Sequence, residues 1–402
     1  MSGNMERVQV VIAGAGPVGC VAATYLAQRG IDVILAESGG DSAQDLRAST
    51  FHPPSLEMLD TLGIAGKLID MGLKAPVYHW RDRRSGEVIS FDLGELSDMT
   101  RFPYRIQCEQ YHLAHMLAQR LEEQPTASVR FGHRVVHFAQ DATGVDVALE
   151  HVTGINKVRA DYLIGADGAN SLVRKWLDVD FDGFTYPEKF LCLSTAQRID
   201  EEIPNLAYVN YVSDPEEWLV LLRVPTLWRV LVPATDDDDA GYLTSDAKKN
   251  KVFGGLLGDG VAVETRHRTI YRVHQRVAKS FRNGRVLLIG DSAHLNNPLG
   301  GFGMNSGIHD AFNACEKLAG VLGGTEREDV LGVYERQRRT VTHDFTQQQT
   351  IENMAMMRAG QSEAHQRRLY QMRATASDPV KRRAYLLRQA MFTSLDQAAA
   401  IG

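Results

Sequence analysis

Two apolar runs near the start of the chain flank a helical pattern. Residues 8–13 (VQVVIA) are almost all apolar, which is typical of a parallel strand that is buried on both faces. From about Pro17 to Arg29, apolar residues recur at the spacing of a single helical stripe. Gly30 suits the end of that helix, and the second apolar run, residues 31–36, ends at Glu37. The pattern therefore predicts a β-α-β unit.

The middle of the chain changes to alternating and then to mixed strand patterns. Residues 129–164 predict a meander of antiparallel strands, because polar and apolar residues alternate in stretches such as 144–151 (GVDVALEH). Further strand-like runs between about 184 and 275 indicate a separate sheet. Residues 285–289 (RVLLI) return to the buried parallel style, a helix is predicted from about Asn305, and the chain is helical from about 328 onward.

Composition narrows the class of protein without identifying it. The chain has 402 residues, of which 44% are hydrophobic and 23% are charged, so we expect more than one domain. The net charge of −6 gives no basic field for nucleic acid. The sequence has no targeting signal and no run of eighteen apolar residues, so we expect a soluble protein without integral membrane association. The four cysteines lack disulfide or zinc spacing, which predicts a cytoplasmic protein and no metal site.

The first chemical motif follows the first strand. Gly14, Gly16 and Gly19 have the spacing G-x-G-x-x-G, which permits a tight turn, close approach to a pyrophosphate, and close helix–strand packing. The helix N-terminus that follows favours an anion. Glu37, at the end of the second strand, can accept hydrogen bonds from ribose hydroxyls. With strand, helix, strand and acid all in place, the motif predicts a dinucleotide site.

Two later motifs accompany it, GADGANSLVR at 165–174 and GDSAHLNNPLGGFGMNSGIHDAFNA at 290–314. With these three motifs in this order, the chain resembles the class A flavoprotein monooxygenases, the family of para-hydroxybenzoate hydroxylase and phenol hydroxylase, from about Arg7 to Tyr334. The resemblance implies an α/β fold with a Rossmann-like FAD-binding domain of parallel sheet and antiparallel meander, a smaller mixed-sheet substrate domain and C-terminal helices. We expect the FAD domain at 1–75, 101–178 and 284–325, the substrate domain at 76–100 and 179–283, and the C-terminal helical region at 326–402.

The motifs and the resemblance together imply roles for individual residues. Asp291 would hold an FAD ribitol hydroxyl, and Asp167 would lie near the pyrophosphate and the NAD(P)H path. Either carboxylate could instead cap a turn, and Arg47 could be an ordinary surface arginine. The residues expected to contact FAD are Gly14, Gly16, Pro17, Val18, Gly19, Glu37, Ser38, Arg47, Gln110, Asp167, Asp291, Pro298, Gly301, Gly303, Met304 and Asn305. The residues expected to take part in catalysis are Arg47, Pro298, Gly300 and Gly301.

Substrate contacts are open to several interpretations. Arg223 lies in an apolar strand and could pair with a substrate carboxylate, with Glu216 or Glu217, or face solvent. Tyr211 and Tyr104 are candidate pocket residues or core residues. Asn297–Pro298 replaces the two consecutive prolines that the family often has, which places an amide beside the predicted flavin ring. His294 has no ligand partner at metal spacing, so we expect it to be packed or hydrogen-bonded.

The resemblance implies an enzyme that hydroxylates a phenol, aromatic acid or pyridine acid. FAD is expected to bind non-covalently, to be reduced by NAD(P)H and to react with O₂ to form a C4a-hydroperoxide. Residues 38–41 (SGGD) contain no cation for a 2′-phosphate, which favours NADH. The alternatives are a ubiquinone-pathway ring hydroxylase and a non-catalytic flavin-binding regulator. A homodimer is a further expectation.

Overall fold

A computed structural model describes residues 5–42, 48–214, 217–235, 237–258, 260–357 and 363–402. Within these ranges the chain forms three sheets, which are joined and covered by helices. The strands are β1 (Glu6–Ala13), β2 (Val33–Glu37), β3 (Thr50–Phe51), β4 (Leu73–Ala75), β5 (Val77–Asp82), β6 (Val88–Asp92), β7 (Arg105–Gln107), β8 (Ala127–Phe131), β9 (Arg134–Asp141), β10 (Gly144–His151), β11 (Gly154–Gly165), β12 (Phe181–Thr195), β13 (Val209–Ser213), β14 (Leu219–Arg223), β15 (Trp228–Ala234), β16 (His267–Ala278), β17 (Arg282–Asn283), β18 (Val286–Leu288) and β19 (His294–Leu295).

The helices lie around these sheets and form most of the C-terminal region. The α-helices are α1 (Pro17–Ala27), α2 (Pro53–Thr61), α3 (Ala65–Met71), α4 (Gln110–Glu122), α5 (Leu172–Trp176), α6 (Ile199–Glu202), α7 (Ala240–Leu243), α8 (Asp246–Leu257), α9 (Phe302–Leu322), α10 (Val330–Val341), α11 (Gln348–Met357), α12 (Glu363–Ser377), α13 (Pro379–Gln389) and α14 (Phe392–Ala399). Short 3₁₀ helices cover Leu93–Leu96 and Gly290–Ser292. A π-helix, Thr342–Gln347, links α10 to α11.

The first sheet has the strand order β17-β18-β11-β1-β2-β8, in which β18, β11, β1, β2 and β8 are parallel. The antiparallel strands β9 and β10 attach to β11 and form the predicted meander. Val10, Val11 and Ile12 of β1 are fully buried, since α1 and α9 cover the sheet. The carboxyl ends of the parallel strands meet at one edge, which is where ligands bind in open α/β sheets.

The second sheet has the order β19-β16-β12-β15-β14-β13-β5-β6 and is antiparallel apart from the β13–β5 pair. This is the predicted mixed sheet, although with eight strands it equals the first sheet in strand number. One face packs against α8, and the other face packs against side chains of α11, α12 and α13. Trp80, Trp218 and Trp228 are all buried within this sheet.

The C-terminal helices contact the edge of the second sheet through hydrogen bonds and ion pairs. Trp80 Nε1 donates to Tyr385 Oη at 3.1 Å, and Arg373 and Arg382 form ion pairs with Glu87 and Glu95. Met354 and Met357 are buried against the sheet. These helices therefore complete a hydrophobic core that the sheet cannot close alone.

The predicted elements are present with shifted boundaries. The largest shift is at the predicted loop 298–303, because α9 begins at Phe302 rather than near Asn305. Gly301 precedes α9 in the left-handed conformation, with φ 72°, and starts the helix early. β17 belongs to the first sheet and β19 to the second. None of the described helices is both long enough and apolar enough to cross a membrane.

Candidate active site

A cavity of about 530 Å³ lies between the carboxyl edge of the first sheet and one face of the second. Many of the residues predicted from the sequence line it together. These are Gly14, Gly16, Pro17, Val18, Glu37, Ser38, Gln110, Asp167, Tyr211, Asp291, Pro298, Gly301, Gly303 and Met304. Gly19, Gly300, Asn305, Arg223 and Tyr104 lie outside the lining, and Arg47 falls outside the described residues.

The turn before α1 forms one end of the cavity. Gly14 has φ 100°, and a Cβ there would lie 2.5 Å from the carbonyl oxygen of Ala166. Gly16 caps α1 without a side-chain hydrogen bond, and a Cβ on it would meet no atom within 4 Å. The N-terminus of the helix thus opens directly onto the cavity, where its amides and dipole favour an anion.

Gly19 packs against this turn and does not line the cavity. A Cβ at Gly19 would lie 2.0 Å from the carbonyl oxygen of Gly14, so this glycine permits close packing between the helix and the preceding turn. Glu37 also closes the turn, because its carboxylate accepts from the backbone N–H of Ala15 and of Gly39, both at 2.8 Å. Its side chain is half-buried at the cavity wall.

Asp167 combines a structural contact with a place at the cavity. Its carboxylate accepts from Ser171 Oγ at 2.5 Å and from the backbone N–H of Leu172 at 2.7 Å. The carboxylate therefore caps the start of α5, which is the structural interpretation that the sequence left open. Asp291 differs, since it is exposed at the cavity in the 3₁₀ turn Gly290–Ser292.

A buried ion cluster supports that 3₁₀ turn. Asp310 of α9 accepts from His294 Nε2 at 2.7 Å and from Arg338 Nε at 2.6 Å. It also accepts from the backbone N–H of Gly290. Burial alone would raise the pKa of Asp310, but His294 and Arg338 lower it to about 2. His294 is hydrogen-bonded, as the sequence predicted.

The start of α9 forms the middle of the cavity. Gly303 and Met304 belong to the first turn of the helix and line the cavity. Asn305 does not, because its amide donates to the carbonyl oxygens of Thr50 and Gly301, both at 2.7 Å, and ties α9 to β3. Gly300 also faces away, and its carbonyl oxygen accepts from His52 Nε2 at 2.8 Å.

Residues 295–300, the segment before α9, form hydrogen bonds with side-chain amides on the side away from the cavity. Asn297 is buried, and its Nδ2 donates to the carbonyl oxygen of Thr350 at 2.9 Å and to Tyr186 Oη at 3.1 Å. Its side chain therefore points into the protein, which corrects the expectation of an amide beside the ring. Asn353 Nδ2 donates to the carbonyl oxygen of Leu299 at 3.1 Å. Gln347, on the π-helix, donates to the carbonyl oxygen of Leu295 at 2.9 Å.

The second sheet supplies an apolar and aromatic wall. This part of the cavity is lined by Tyr211, Val220, Leu222, Leu231 and Tyr271. His274 also lines it, and burial, followed by the charges of Arg276 and Arg272, lowers the pKa of its imidazole. A ring-shaped apolar molecule could pack against this wall while its polar groups face the first sheet.

Two candidate substrate residues are placed elsewhere. Arg223 follows Leu219 and Leu221 on the face of β14 that packs against α8, opposite Val220 and Leu222, and its guanidinium lies 5.8 Å from the ring centre of Trp228. Tyr104 packs against the first core and lies edge-on to Phe102. The expectation that these two residues contact substrate is therefore not supported by their positions.

One group of possible metal ligands occurs among the described residues, Cys108, Glu109 and His112. Burial, followed by the charge of Glu109, raises the pKa of the Cys108 thiol to about 12, so the thiol is protonated at neutral pH. Glu109 also faces the buried guanidinium of Arg229 at 3.6 Å. The arrangement is that of an ion pair beside a thiol.

Comparison with known proteins gives the family. Residues 7–349 match the model of an FAD-binding domain. The chain is 31% identical to para-nitrophenol 4-monooxygenase of Pseudomonas sp. (strain WBC-3), over 87% of each chain. It is 33% identical to 6-hydroxy-3-succinoylpyridine 3-monooxygenase of Pseudomonas putida (strain DSM 28022 / S16), over 83% of this chain and 84% of the other.

Solved structures agree with this relationship. The crystal structure of p-nitrophenol 4-monooxygenase from Pseudomonas putida DLL-E4 superposes with a TM-score of 0.91 at 29% identity, covering 98% of this chain and 99% of the other. A flavin-dependent monooxygenase solved with FAD and substrate gives 0.80 at 26% identity, covering 98% and 73%. The chain therefore belongs to the class A FAD-dependent aromatic monooxygenases.

Proposed function

We propose that this protein hydroxylates a phenol or hydroxypyridine ring, with FAD as the cofactor, NAD(P)H as the reductant and O₂ as the oxidant. One observation carries the proposal: a single cavity runs from the N-terminus of α1, where Gly16 offers no side-chain hydrogen bond to the helix amides, past the start of α9, to the aromatic wall of the second sheet. The names of the relatives also support it, since para-nitrophenol and 6-hydroxy-3-succinoylpyridine both carry a ring hydroxyl.

The cavity residues fit FAD along its whole length. The space at Gly16 and the free amides of α1 suit the pyrophosphate. Glu37 would hold the adenosine ribose, and Gln110 and Asp291 would hold the ribityl chain. The start of α9 would face the isoalloxazine ring. When bound, FAD would accept electrons from NAD(P)H and activate O₂ for insertion into the substrate ring.

The N-terminus of α9 would stabilise negative charge on the reduced ring. Gly301 caps this helix of 21 residues without a side-chain hydrogen bond, so the amides of its first turn are available at the cavity. A helix dipole contributes about 0.3–1 kcal/mol, or about 2 kcal/mol when partly buried. Gly303 and Met304 line the cavity, so the backbone amides of these two residues would lie nearest to the ring.

Pro298 and Gly301 would form the part of the cavity wall beside which O₂ reacts. The carbonyl oxygen of Pro298 accepts from the backbone N–H of Gly301 at 3.1 Å, so the turn is internally closed. Leu222, Leu231 and Val220 would exclude water from the opposite wall. A chamber without water would protect the reactive intermediate of the oxygen reaction from decomposition and would orient the substrate ring. Arg47 lies outside the described residues; the resemblance implies that it contacts the phosphates of FAD and of the nicotinamide cofactor, and we retain this role in the proposal.

The remaining expectations form part of the same proposal. The first sheet and its helices would be the FAD domain, and the second sheet would be the substrate domain. We propose NADH as the preferred reductant, a cytoplasmic location and a homodimer. The four cysteines are free thiols, as a reducing compartment would maintain them. Light scattering of the purified protein tests the homodimer.

The proposed function is tested on purified protein. We expect a yellow protein from which acid precipitation releases FAD, and NADH oxidation that is stimulated by a phenol or hydroxypyridine. Mass spectrometry of the product should show one added oxygen atom. If no ring compound in a panel of phenols, aromatic acids and hydroxypyridines stimulated NADH oxidation by the FAD-loaded protein, the proposed function would be wrong.

A further inference from the structure

A buried ion pair joins the segment before α4 to the second sheet. Glu109 immediately precedes α4, and Arg229 lies on β15. Glu109 Oε1 and Arg229 Nη2 are 3.6 Å apart, and the two side chains are only 7% and 2% exposed. Because the pair is buried, solvent and salt screen its attraction far less than at the surface. The ion pair therefore opposes separation of these two parts of the molecule.

Each partner lies one position away from a residue that lines the cavity. Gln110 follows Glu109 directly and lines the cavity on the side of the first sheet. Arg229 is paired in register with Leu222 of β14, which belongs to the opposite wall. Leu231, two residues further along β15, also lines this wall, so Arg229 and Leu231 share one face of the sheet. The ion pair thus connects the two walls between which a substrate ring would bind.

The surroundings of Glu109 favour its negative charge. The residue occupies the N-cap position of α4, where the helix dipole stabilises an anion. His112 Nε2 lies 4.0 Å from its second carboxylate oxygen. Removing one charge of a buried pair is strongly destabilising, whereas replacing both charges with neutral side chains of similar size is often harmless. A variant that replaces both residues is therefore the informative one.

We propose that the Glu109–Arg229 ion pair sets the spacing between the two cavity walls and thereby limits the size of the aromatic ring that the cavity accepts. This inference rests on the proposed function and specifies which rings bind. Glu109 and Arg229 are positioning residues, because neither lines the cavity. Without the pair, the walls would move apart, hold a small ring loosely and accept a larger ring more readily.

Loose binding of a small ring would also waste the reductant. In the unproductive reaction, NADH and a proton reduce O₂ to H₂O₂, and the ring is left unchanged. Water that enters a wider chamber favours this reaction over oxygen transfer to the ring. The ratio of H₂O₂ to hydroxylated product therefore gives a second readout of the spacing, independent of binding affinity.

The test compares single rings with fused rings on the FAD-loaded protein. The two pairs of compounds are phenol with 2-naphthol, and 4-hydroxypyridine with 4-hydroxyquinoline. Dissociation constants are measured from the change that each compound causes in flavin absorbance. In Glu109→Gln/Arg229→Met, the preference for the single ring should shift toward the fused ring by about tenfold, because one misfitting carbon group in an apolar pocket changes discrimination by about ten- to two-hundredfold. With the single rings, H₂O₂ released per NADH should rise.

A conservative variant and a matched control separate spacing from folding. Arg229→Lys keeps the positive charge and should retain most of the wild-type preference. Glu217→Gln/Lys248→Met removes another largely buried ion pair, which joins α8 to the chain just before β14 on the far face of the second sheet. This control should leave both the preference and the peroxide ratio unchanged. FAD content and thermal unfolding are measured for every variant.

Two outcomes would overturn the inference. One is a wild-type protein that does not prefer the single rings. The other is a Glu109→Gln/Arg229→Met variant that keeps the wild-type preference, or that weakens binding of all four compounds equally. The proposed function would survive either result, provided that a ring compound still stimulates NADH oxidation. If the preference shifts as expected but no ring compound stimulates NADH oxidation, the proposed function fails while the inference about spacing holds.

Discussion

At the scale of single residues, the three glycines of the first turn lack a side chain for different reasons. Gly14 needs a positive φ and has no room beside Ala166, and Gly19 has no room beside Gly14. Gly16 has ordinary extended angles, φ −69° and ψ 175°, and open space around it. The fold therefore requires two of these glycines, whereas no described residue requires the third, which we expect to allow close approach of the cofactor.

Gly16→Ala and Gly19→Ala form a matched pair that separates these requirements. Gly16→Ala should leave the unfolding free energy of the FAD-free protein within about 0.5 kcal/mol of wild type. It should weaken FAD binding by about tenfold or more, because a charge-assisted contact contributes about 1.5–3 kcal/mol. Gly19→Ala should destabilise the FAD-free protein by about 1–3 kcal/mol through overpacking.

Urea unfolding and FAD titration of both variants check this pair. Wild-type FAD affinity in Gly16→Ala would mean that the pyrophosphate does not lie against this glycine. Equal destabilisation by both substitutions would mean that the space at Gly16 belongs to the fold and not to the cofactor.

At the scale of elements, the segment before α9 depends on helices that are distant in sequence. Asn353 on α11 and Gln347 on the π-helix both donate to carbonyl oxygens of this segment. A π-helix in the middle of a long helix is frequently found at a functional site. In this protein the π-helix directs the Gln347 amide toward the backbone that faces the cavity. The C-terminal helices therefore position the segment that contains Pro298, beside which we propose that O₂ reacts.

Asn353→Leu tests this support. The substitution removes the donor to the Leu299 carbonyl and leaves a buried acceptor unsatisfied, which costs about 1–3 kcal/mol. We expect FAD to be retained, because the residues proposed to bind the pyrophosphate lie at the α1 end of the cavity, and we expect more H₂O₂ released per NADH consumed. Hydroxylated product and peroxide are counted in the same reaction.

Asn313→Leu is the control for that measurement. Asn313 lies on α9 and donates to Gln337 on the side away from the cavity, so its loss should not change the ratio of peroxide to product. If Asn353→Leu coupled NADH to product as efficiently as wild type, the support from α11 would be irrelevant to oxygen handling.

Elements with strong local patterns could be predicted, whereas contacts between distant segments could not. β1 and β10 follow directly from an apolar run and an alternating run. The early start of α9 was missed, since a glycine-rich segment carries no helical periodicity.

The same reasoning explains the outcome for candidate substrate residues. Neighbouring residues of a strand point to opposite faces, but β14 is apolar on both faces, so its pattern does not indicate whether the face of Leu222 or the face of Arg223 lines the cavity. Asn297 was noticed as a departure from a family pattern, but the direction of its side chain depends on Thr350 and Tyr186, which no local pattern connects to it. The glycine motifs were informative because their geometry lies within a few consecutive residues.

At the scale of the whole molecule, buried histidines make stability depend on pH. Burial, followed by the charge of Arg338, lowers the pKa of His309 from 6.5 to about 3, and His52 is shifted in the same direction. Because the unfolded chain takes up these protons first, stability is lost as the pH falls from about 6.5 toward 3. His309 contributes a slope of about 1.4 kcal/mol per pH unit within that window, and His52 contributes with the same sign.

His309→Gln should reduce that slope by about 1.4 kcal/mol per pH unit between pH 6 and 4. The measurement is urea unfolding at several pH values with saturating FAD. His267→Gln, at an exposed position, is the control. An unchanged slope in His309→Gln would show that this imidazole is already charged in the folded protein.

The burial of three tryptophans in the second sheet has an optical consequence. Trp80 stacks on Tyr211 with ring centres 4.6 Å apart, and Tyr211 lines the cavity. Trp176, by contrast, lies on the first-sheet side and is half exposed. Indole emission overlaps flavin absorption, so a flavin in the cavity would act as an energy acceptor for the tryptophans of the second sheet. Tryptophan emission of the FAD-loaded protein would therefore be weaker than that of the FAD-free protein, and the size of the decrease would report the distance between the flavin and the tryptophans of the second sheet.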